Sequence, residues 1–298
     1  MAYEKVVSTE IARFVNAEDK YVCALDAKSI AKAQKELNEN PKERRAIVDQ
    51  LRKWIIEQPH FKFPTDTLVL LMFLRRSAFS QLEARALIEN YVAVCCTKLT
   101  FLAKDIDLHS SGLNAALEIG IVTPLPVPDD EGRRIIIIRP GGIKADQGYK
   151  NHDVFKMFHA IMTYFVQLDE ATQNKYPVRM KGWHFYNAAA VAQTLMSAIM
   201  PFLPQKIRER MFLHGNNMED VYKHIPMRLL PSEYLPDDYT GPCQGSLFKI
   251  QASYKEALQN KAVRDKIWNI TSSGMMYNES KKPGDLGPQA SFRKLNLD

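Results

Sequence analysis

The sequence predicts an α/β protein in which an all-helical N-terminal domain precedes an α/β domain with a mainly parallel sheet. Three observations support this prediction. Apolar residues recur at helical spacing between residues 26 and 100. The run IIIIR at 135–139 is β-branched and bounded by turn residues, which is typical of a strand buried on both faces. Strand-like and helix-like segments then alternate, as they do in parallel sheets with crossover helices.

Capping signals divide the N-terminal region into short helices. Asn40 is followed by a proline, which is tolerated at the first position of a helix, so a helix is expected to start there. Thr65, which follows another proline, is the expected cap of the next helix. The stretch SQLE at 80–83 has the pattern of a capping box for a third helix, expected to run to about Cys96.

The second half of the chain changes character. A helix is predicted at about 152–168, and the aromatic stretch VRMKGWHFYN that ends at Asn187 is predicted to be a strand. The stretch AAAVAQTLMSAIMPFL after it is apolar on nearly every face, and KEALQNKAVRDKIW predicts an amphipathic helix at 255–268. We therefore expect an N-terminal segment, a helical domain, an α/β domain, and a C-terminal helix with a disordered tail, at 1–25, 26–100, 101–245 and 246–298.

Composition limits the class of protein. The longest apolar runs fall far short of the roughly 20 residues that cross a bilayer, so no membrane span is predicted. The N-terminus has no uninterrupted apolar core of a secretory signal, and the four cysteines show no metal spacing. We expect a cytosolic protein. The net charge of +6 and the pI near 9.0 favour acidic partners such as anionic lipid surfaces or nucleic acid.

Signatures of an enzyme are not found in the sequence. It contains no GxGxxG, GxxxxGK[ST], GxSxG or HExxH motif. His184 and His214 are scattered histidines, and such residues are more often structural than general bases. Cys95 and Cys96 at a helix end are more often core than redox residues. The sequence predicts a protein that is not an enzyme, with no metal site and no cofactor.

Several stretches together resemble the CRAL-TRIO lipid-binding family, and most closely its tocopherol-transfer and retinaldehyde-binding branch. They are LLMFLRRSAF, IIIIRPG, YPVRMKGWHFYN, PFLPQKIRERMFLHGNN and LPSEY, and they occur in the family's order between Cys23 and Gly245. The resemblance implies a sheet that floors a hydrophobic cavity and an apolar gate helix at 188–203 that closes it. An ordinary buried core helix is the alternative for the gate.

The resemblance also implies which residues line the lipid cavity. Matching positions are Phe155, Phe158, Met162, Trp183, Leu195 and Ala198. Phe158 and Met162 stand where tocopherol-binding relatives have small hydroxyl residues, which would shrink that end of the cavity and favour a different ligand. An aromatic stripe at helical spacing can equally be plain core.

A basic cluster beside the gate binds a phosphoinositide headgroup in this branch, and its members match Arg179, Lys181, Lys206 and Arg210. Alternate residues of a strand share a face, as do residues four apart on a helix. Arg179 and Lys181 can therefore point to the same side, and so can Lys206 and Arg210. Arginine can then bind phosphate through two hydrogen bonds. A solvated basic face is the alternative. A further basic position of the family corresponds to Ser77 here, with Arg76 adjacent.

The largest departure from the family lies between Gln173 and Asn174. Relatives carry there a strand of the form NGxVxxxDxxG and a helix, a unit of about 30 residues. Its loss would leave neighbouring strands to pair with each other or expose unpaired edges. We interpret this clean excision as a splice variant or an error in the gene model. A transcript that encodes the intervening segment would support this hypothesis.

Two functions of different class follow. The first is a carrier that takes up a small hydrophobic lipid, such as a tocopherol or retinoid, and exchanges it at phosphoinositide-bearing membranes, endosomal ones among them. The second is a shortened isoform that acts as a membrane-recruited interaction module and has no working cavity. Nucleic-acid binding depends on the pI alone, since RNP, KH and zinc signatures are not found, and no nucleic-acid partner is expected.

Overall fold

The computed structural model describes residues 21–283, with gaps at 24, 26, 101–103, 144–147, 169–180, 189–193, 195 and 197–199. The helices of this part are α1 (Ala27–Leu37), α2 (Arg44–Ile56), α3 (Thr67–Arg76), α4 (Gln81–Thr97), α5 (Ser111–Ile119), α6 (Asn151–Leu168), α7 (Gln205–Arg208), α8 (Met218–Tyr222), α9 (Leu247–Gln259) and α10 (Lys261–Trp268). The strands are β1 (Phe61–Lys62), β2 (Val122–Pro124), β3 (Ile136–Ile138), β4 (Trp183–Phe185), β5 (Met211–Leu213) and β6 (Met276–Tyr277).

The N-terminal helices start close to the predicted caps. Ser80 caps α4 as expected, since its hydroxyl accepts from the Glu83 amide at 3.3 Å. The cap of α3 is Asp66 and not Thr65, because the Asp66 carboxylate accepts from the amide of Leu68 at 2.9 Å. Asn40 caps the turn before α2: its side chain accepts from the amide of Lys42, and the helix itself begins four residues later.

The helical region has its own core. Val48, Leu51 and Ile55 on one face of α2 are buried against α3 and α4. Phe63 and Phe73 meet edge to face with ring centroids 5.3 Å apart, an arrangement that aromatic pairs favour. The predicted apolar periodicity of α2 is therefore confirmed as the face that packs inward.

A buried ionic cluster joins three segments of this region. The Glu39 carboxylate accepts hydrogen bonds from Arg44 at 2.6 Å and from Arg75 at 2.9 and 3.0 Å. Glu39 and Arg75 are almost fully buried. A carboxylate that satisfies two buried guanidinium groups fixes the chain before α2 against the end of α3.

A second core lies beneath α6, which is observed where a helix was predicted. Met157, Ala160 and Ile161 of α6 pack with residues of α5 and with the C-terminal helices. The single amphipathic helix expected at 255–268 is in fact two, α9 and α10. Asn260 separates them: its backbone is extended, and its side chain accepts from the amides of Ala262 and Val263.

The described strands form three two-stranded sheets. β1 pairs with β6 and β2 with β3, both antiparallel, whereas β4 and β5 are parallel. A mixed helix and strand architecture is therefore observed, but a mainly parallel sheet is not confirmed among the described residues. The expectation that the IIII strand is buried on both faces is wrong. Ile136 and Ile137 pack against different core clusters but are only half-buried, and Ile138 is 52% exposed.

The C-terminal part of the chain returns to the helical region. β6 pairs with β1, and Lys266 of α10 forms a buried ion pair of 2.8 Å with Asp66, the cap of α3. The predicted domain boundaries stay predictions. Of the predicted disordered tail from residue 280, the structure describes 280–283, and Glu279–Lys281 forms a 3-10 turn.

Replacement of Glu39 by alanine would leave the Arg44 and Arg75 guanidinium groups buried without their carboxylate. We expect Glu39→Ala to lower the free energy of unfolding by about 3–5 kcal/mol. Urea denaturation measures this change. Glu57→Ala removes a carboxylate from an exposed pair with Lys53 and should change stability by less than about 0.5 kcal/mol. Equal losses in the two variants would contradict the assigned role of Glu39.

Candidate functional site

The parallel β4–β5 ladder positions the predicted basic residues. Trp183 pairs with Met211, and the Trp183 amide donates to the Arg210 carbonyl at 2.6 Å. Lys181 and Arg210 thus stand just before two parallel neighbouring strands. Because the starts of parallel strands meet at one edge of a sheet, the backbone brings these two positions to the same edge.

Helix α7 adds the third predicted cation. It begins after Pro204, and the Arg210 amide donates to the Ile207 carbonyl at 3.0 Å, so the helix continues directly into β5. Lys206 is exposed on this helix and Arg210 is half-buried at its end. The structure therefore places Lys181, Lys206 and Arg210 around one strand start, while Arg179 lies outside the described residues.

One cation of this surface was not predicted. Arg208 is exposed on α7 between Lys206 and Arg210. The carboxylate of Glu209 on the same turn accepts a hydrogen bond from the side-chain amide of Gln205 at 2.8 Å. The alternation of basic residues in QKIRER was the sequence signal for Arg208. Four basic residues and one carboxylate around the start of β5 make this edge electropositive and suited to an anionic group.

The structure does not supply a cation at the remaining family position. Ser77 is buried, and its hydroxyl donates to the Leu74 carbonyl at 3.1 Å. Arg76 beside it is exposed. The position is thus part of the helical core, so a headgroup site here would be built from the β4–β5 edge and α7.

The predicted cavity residues have contrasting surroundings. Phe155 and Phe158 of α6 are 57% and 38% exposed, and Trp183 of β4 is 43% exposed. Met162 is buried beside Phe165. Leu195 and Ala198 lie outside the described residues, as does most of the predicted gate helix. The lining of a lipid cavity therefore stays a prediction.

Helix α6 has more apolar surface than its core contacts use. Phe155 and Phe158 lie one helical turn apart and are both exposed, while Ile161, one turn further along the chain, is buried in the core. The β4–β5 unit exposes further large apolar side chains, namely Trp183, Tyr186, Ile207 and Leu213. Exposed aromatic and aliphatic groups of this size are typical of surfaces that contact a ligand or partner.

The helical region contains a groove of about 640 Å³ that differs from the predicted cavity. Its lining is rich in charged groups, among them Arg44, Arg52 and Asp49. Arg44 is held by Glu39, and Arg52 donates to the Thr67 hydroxyl at 2.9 Å. Because these arginines have protein partners, the groove does not provide the apolar surface that a hydrophobic ligand needs.

Three histidines that are distant in sequence meet at the β4–β5 ladder. His184 Nδ1 lies 2.9 Å from His214 Nε2, and both rings lie 5.5 Å from the ring of His224. Burial and, to a smaller extent, the neighbouring imidazoles of His214 and His224 lower the pKa of His184 to about 4. The three residues are far apart in sequence, one within β4, one after β5 and one after α8, so the cluster is recognised only from the pairing of β4 with β5. Burial thus favours the neutral form of His184 and of His214.

Two findings concern metal and membrane. Within the described ranges, no group of three or more histidine, cysteine or acidic side chains is arranged to hold a metal ion. Among the helices of the same ranges, none combines the length and apolar character needed to cross a bilayer.

Comparison with known proteins confirms the resemblance. Residues 148–234, which include β4, α7 and β5, match the CRAL/TRIO domain. "Alpha-tocopherol transfer protein-like" from Mus musculus is 28% identical over 250 residues, which is 72% of this chain and 71% of the relative. "Clavesin-2" from Rattus norvegicus is 26% identical over 313 residues, 92% of this chain and 90% of the relative. "Clavesin-1" from Xenopus laevis is 29% identical over 243 residues, 70% and 73% of the two chains.

The length of one alignment reveals gaps in this chain. The alignment with Clavesin-2 spans 313 positions, more than the 298 residues of the whole chain, although it covers only 92% of it. The relative therefore has residues at positions where this chain has none. The loss of a unit between Gln173 and Asn174 stays a prediction.

Thiol reactivity tests the assignment of Cys95 to the core. Burial raises the pKa of the Cys95 thiol to about 11, whereas Cys243 is exposed. Since the thiolate is the reactive form, we expect iodoacetamide at pH 8 to modify Cys243 first and Cys95 last. Peptide mass spectrometry at successive times measures the order of modification. As a control, all four thiols should react with iodoacetamide when the chain is unfolded in denaturant. Rapid labelling of Cys95 in the folded chain would contradict a core position.

Proposed function

Because residues 148–234 match the CRAL/TRIO domain, we propose that the chain is a non-enzymatic carrier of a small hydrophobic lipid that exchanges its cargo at anionic membranes. The observation that supports this proposal most is the basic edge of β4–β5, which lies within the family segment. The name of one relative, "Alpha-tocopherol transfer protein-like", supports the proposal that the cargo is a tocopherol, retinoid or similar isoprenoid.

Phosphoinositide recognition is the second part of the proposal. Lys181, Lys206 and Arg210 surround the start of one ladder, and Arg179 is two residues from Lys181. Guanidinium and ammonium groups that converge from a strand and a helix suit a multiply charged phosphate. Exposed apolar residues of the same unit, such as Trp183 and Ile207, could contact acyl chains once the headgroup is held. The protein would then be cytosolic and associate transiently with endosomal or other phosphoinositide-bearing membranes.

Charge reversal tests the headgroup site. Lys206→Glu with Arg210→Glu replaces two phosphate-binding cations by repelling carboxylates. We expect co-sedimentation with liposomes that contain phosphatidylinositol bisphosphate to fall at least about tenfold, because two charge-assisted contacts are lost.

The matched control is Lys32→Glu with Lys249→Glu, which makes the same change in net charge at exposed positions on α1 and α9. This control should retain most of the binding. A similar decrease in both double variants would indicate attraction by net charge alone. Unchanged sedimentation of the Lys206 and Arg210 variant, with its thermal unfolding intact, would refute the proposed site.

An interaction module without a working cavity is the second candidate. The exposure of Phe155, Phe158 and Trp183 favours it, because side chains that line a closed lipid cavity would be screened from water. The gaps relative to Clavesin-2 also favour it, since the unit predicted to be missing supplies part of the cavity wall in the family.

Lipid extraction distinguishes the two candidates. A carrier purified from cells should hold close to one hydrophobic molecule per chain, detectable by organic extraction and mass spectrometry. The module should hold none and yet sediment with phosphoinositide liposomes. Thermal unfolding of the same sample is the control for folding. A cooperative transition without lipid would reject the carrier function for this form of the chain.

A further inference from the structure

The histidine cluster connects the two strands of the basic edge from one side of the ladder. His184 lies on β4 opposite Phe212 of β5, and the two rings stack at 4.7 Å. His214 follows β5, and its amide donates to the Phe185 carbonyl at 3.0 Å. The rings of His184 and His214 are parallel within 2°, with centroids 5.2 Å apart. His224, which follows α8, closes the group.

The backbone is adapted to this arrangement at Gly182. A Cβ atom on Gly182 would lie 2.7 Å from Nε2 of His184, closer than van der Waals contact allows. Any other residue would displace the His184 ring. The absence of a side chain before β4 therefore permits the stacked geometry.

The hydrogen bond between the two rings depends on protonation. A contact of 2.9 Å between His184 Nδ1 and His214 Nε2 requires one nitrogen to donate and the other to accept. If both imidazoles are protonated, two N–H groups point at each other and the bond is lost. Repulsion between the two positive rings, with His224 nearby, would add to this loss.

Among the residues that the structure describes, few negative charges offset such a repulsion. The carboxylate of Asp220 on α8 acts on His214 and favours its charged form. Lys223, which directly follows α8, binds Asp220 at 2.5 Å and helps to hold the pKa of that carboxyl below its usual range. The ladder itself starts with cations, Lys181 and Arg210. The charged groups around the cluster thus do not stabilise three imidazolium ions.

We propose that the cluster of His184, His214 and His224 is a pH-sensitive contact that joins β4 to β5 near neutral pH and releases them in mild acid. The lowered pKa values of His184 and His214 agree with this proposal, and their main cause is burial. In the unfolded chain these histidines titrate near the ordinary value of about 6.5. The stabilisation is therefore complete above about pH 6.5 and decreases as the pH falls towards 4, where His184 is protonated in the folded state.

Histidine titration by NMR tests the proposal on the unmodified chain without lipid. With ¹³C at the imidazole Cε1, His184 should titrate at least about one pH unit below the ordinary histidine value. His184→Phe assigns the resonance. A midpoint of His184 at or above about 6.5 would overturn the proposal.

Thermal unfolding gives a second readout. His214→Gln keeps a hydrogen-bonding amide near the Nε2 position but cannot be protonated. We expect its Tm to fall less between pH 7.5 and pH 5.5 than the Tm of the unmodified chain. His109→Gln, at an exposed histidine outside the cluster, should follow the unmodified chain. Equal losses of Tm in all three proteins would refute the proposal. If His214→Gln does not fold, the titration of the unmodified chain decides. Because no lipid is used, failure here leaves the proposed function untouched.

Discussion

The architecture depends on one carboxylate, Asp66. Its side chain caps α3 through the Leu68 amide and at the same time pairs with Lys266 of α10, and both partners of that pair are buried. Since α10 and α9 pack beneath α6, this single residue connects the helical region to the core that supports the rest of the chain. Backbone hydrogen bonds between β6 and β1 also join the C-terminal part of the chain to the helical region. Without Asp66 the buried ammonium group of Lys266 would lose this ion pair, a loss that is costly in an apolar environment.

Local signals predicted the helices well and the pairing of strands poorly. Ser80 and the periodicity of α2 and α6 were readable because caps and apolar faces are set by residues a few positions apart. The β1–β6 pair joins Phe61 to Tyr277, and strands of two residues leave no periodic signal. Burial of the IIII run was overestimated, because β-branched composition indicates a strand but not how many layers cover it. The cations of the candidate site came from family resemblance, whereas the histidine cluster needed the register of β4 and β5.

The three separate ladders are consistent with the loss of a strand and a helix. A three-residue ladder such as β4–β5 buries little and makes few backbone hydrogen bonds, and sheets of two strands are marginally stable alone. In an intact sheet a neighbouring strand would supply the missing pairing. Here the described neighbours of β4–β5 are side chains: Phe212 stacked on His184, and His214 hydrogen-bonded to it. Among the described residues, these side-chain contacts add to the backbone hydrogen bonds that hold β4 to β5.

The stability of the β4–β5 ladder affects the spacing of the cations at its edge. The Trp183 amide donates to the Arg210 carbonyl and Lys181 lies two residues before Trp183, so the spacing of the two cations changes if β4 and β5 separate. A phosphate group that binds both cations would hold the strands together, and the histidine contact would favour the same closed arrangement from within the ladder. Anion binding and imidazole protonation would then act on one equilibrium with opposite sign, because a ligand shifts an equilibrium only by its preference for one state.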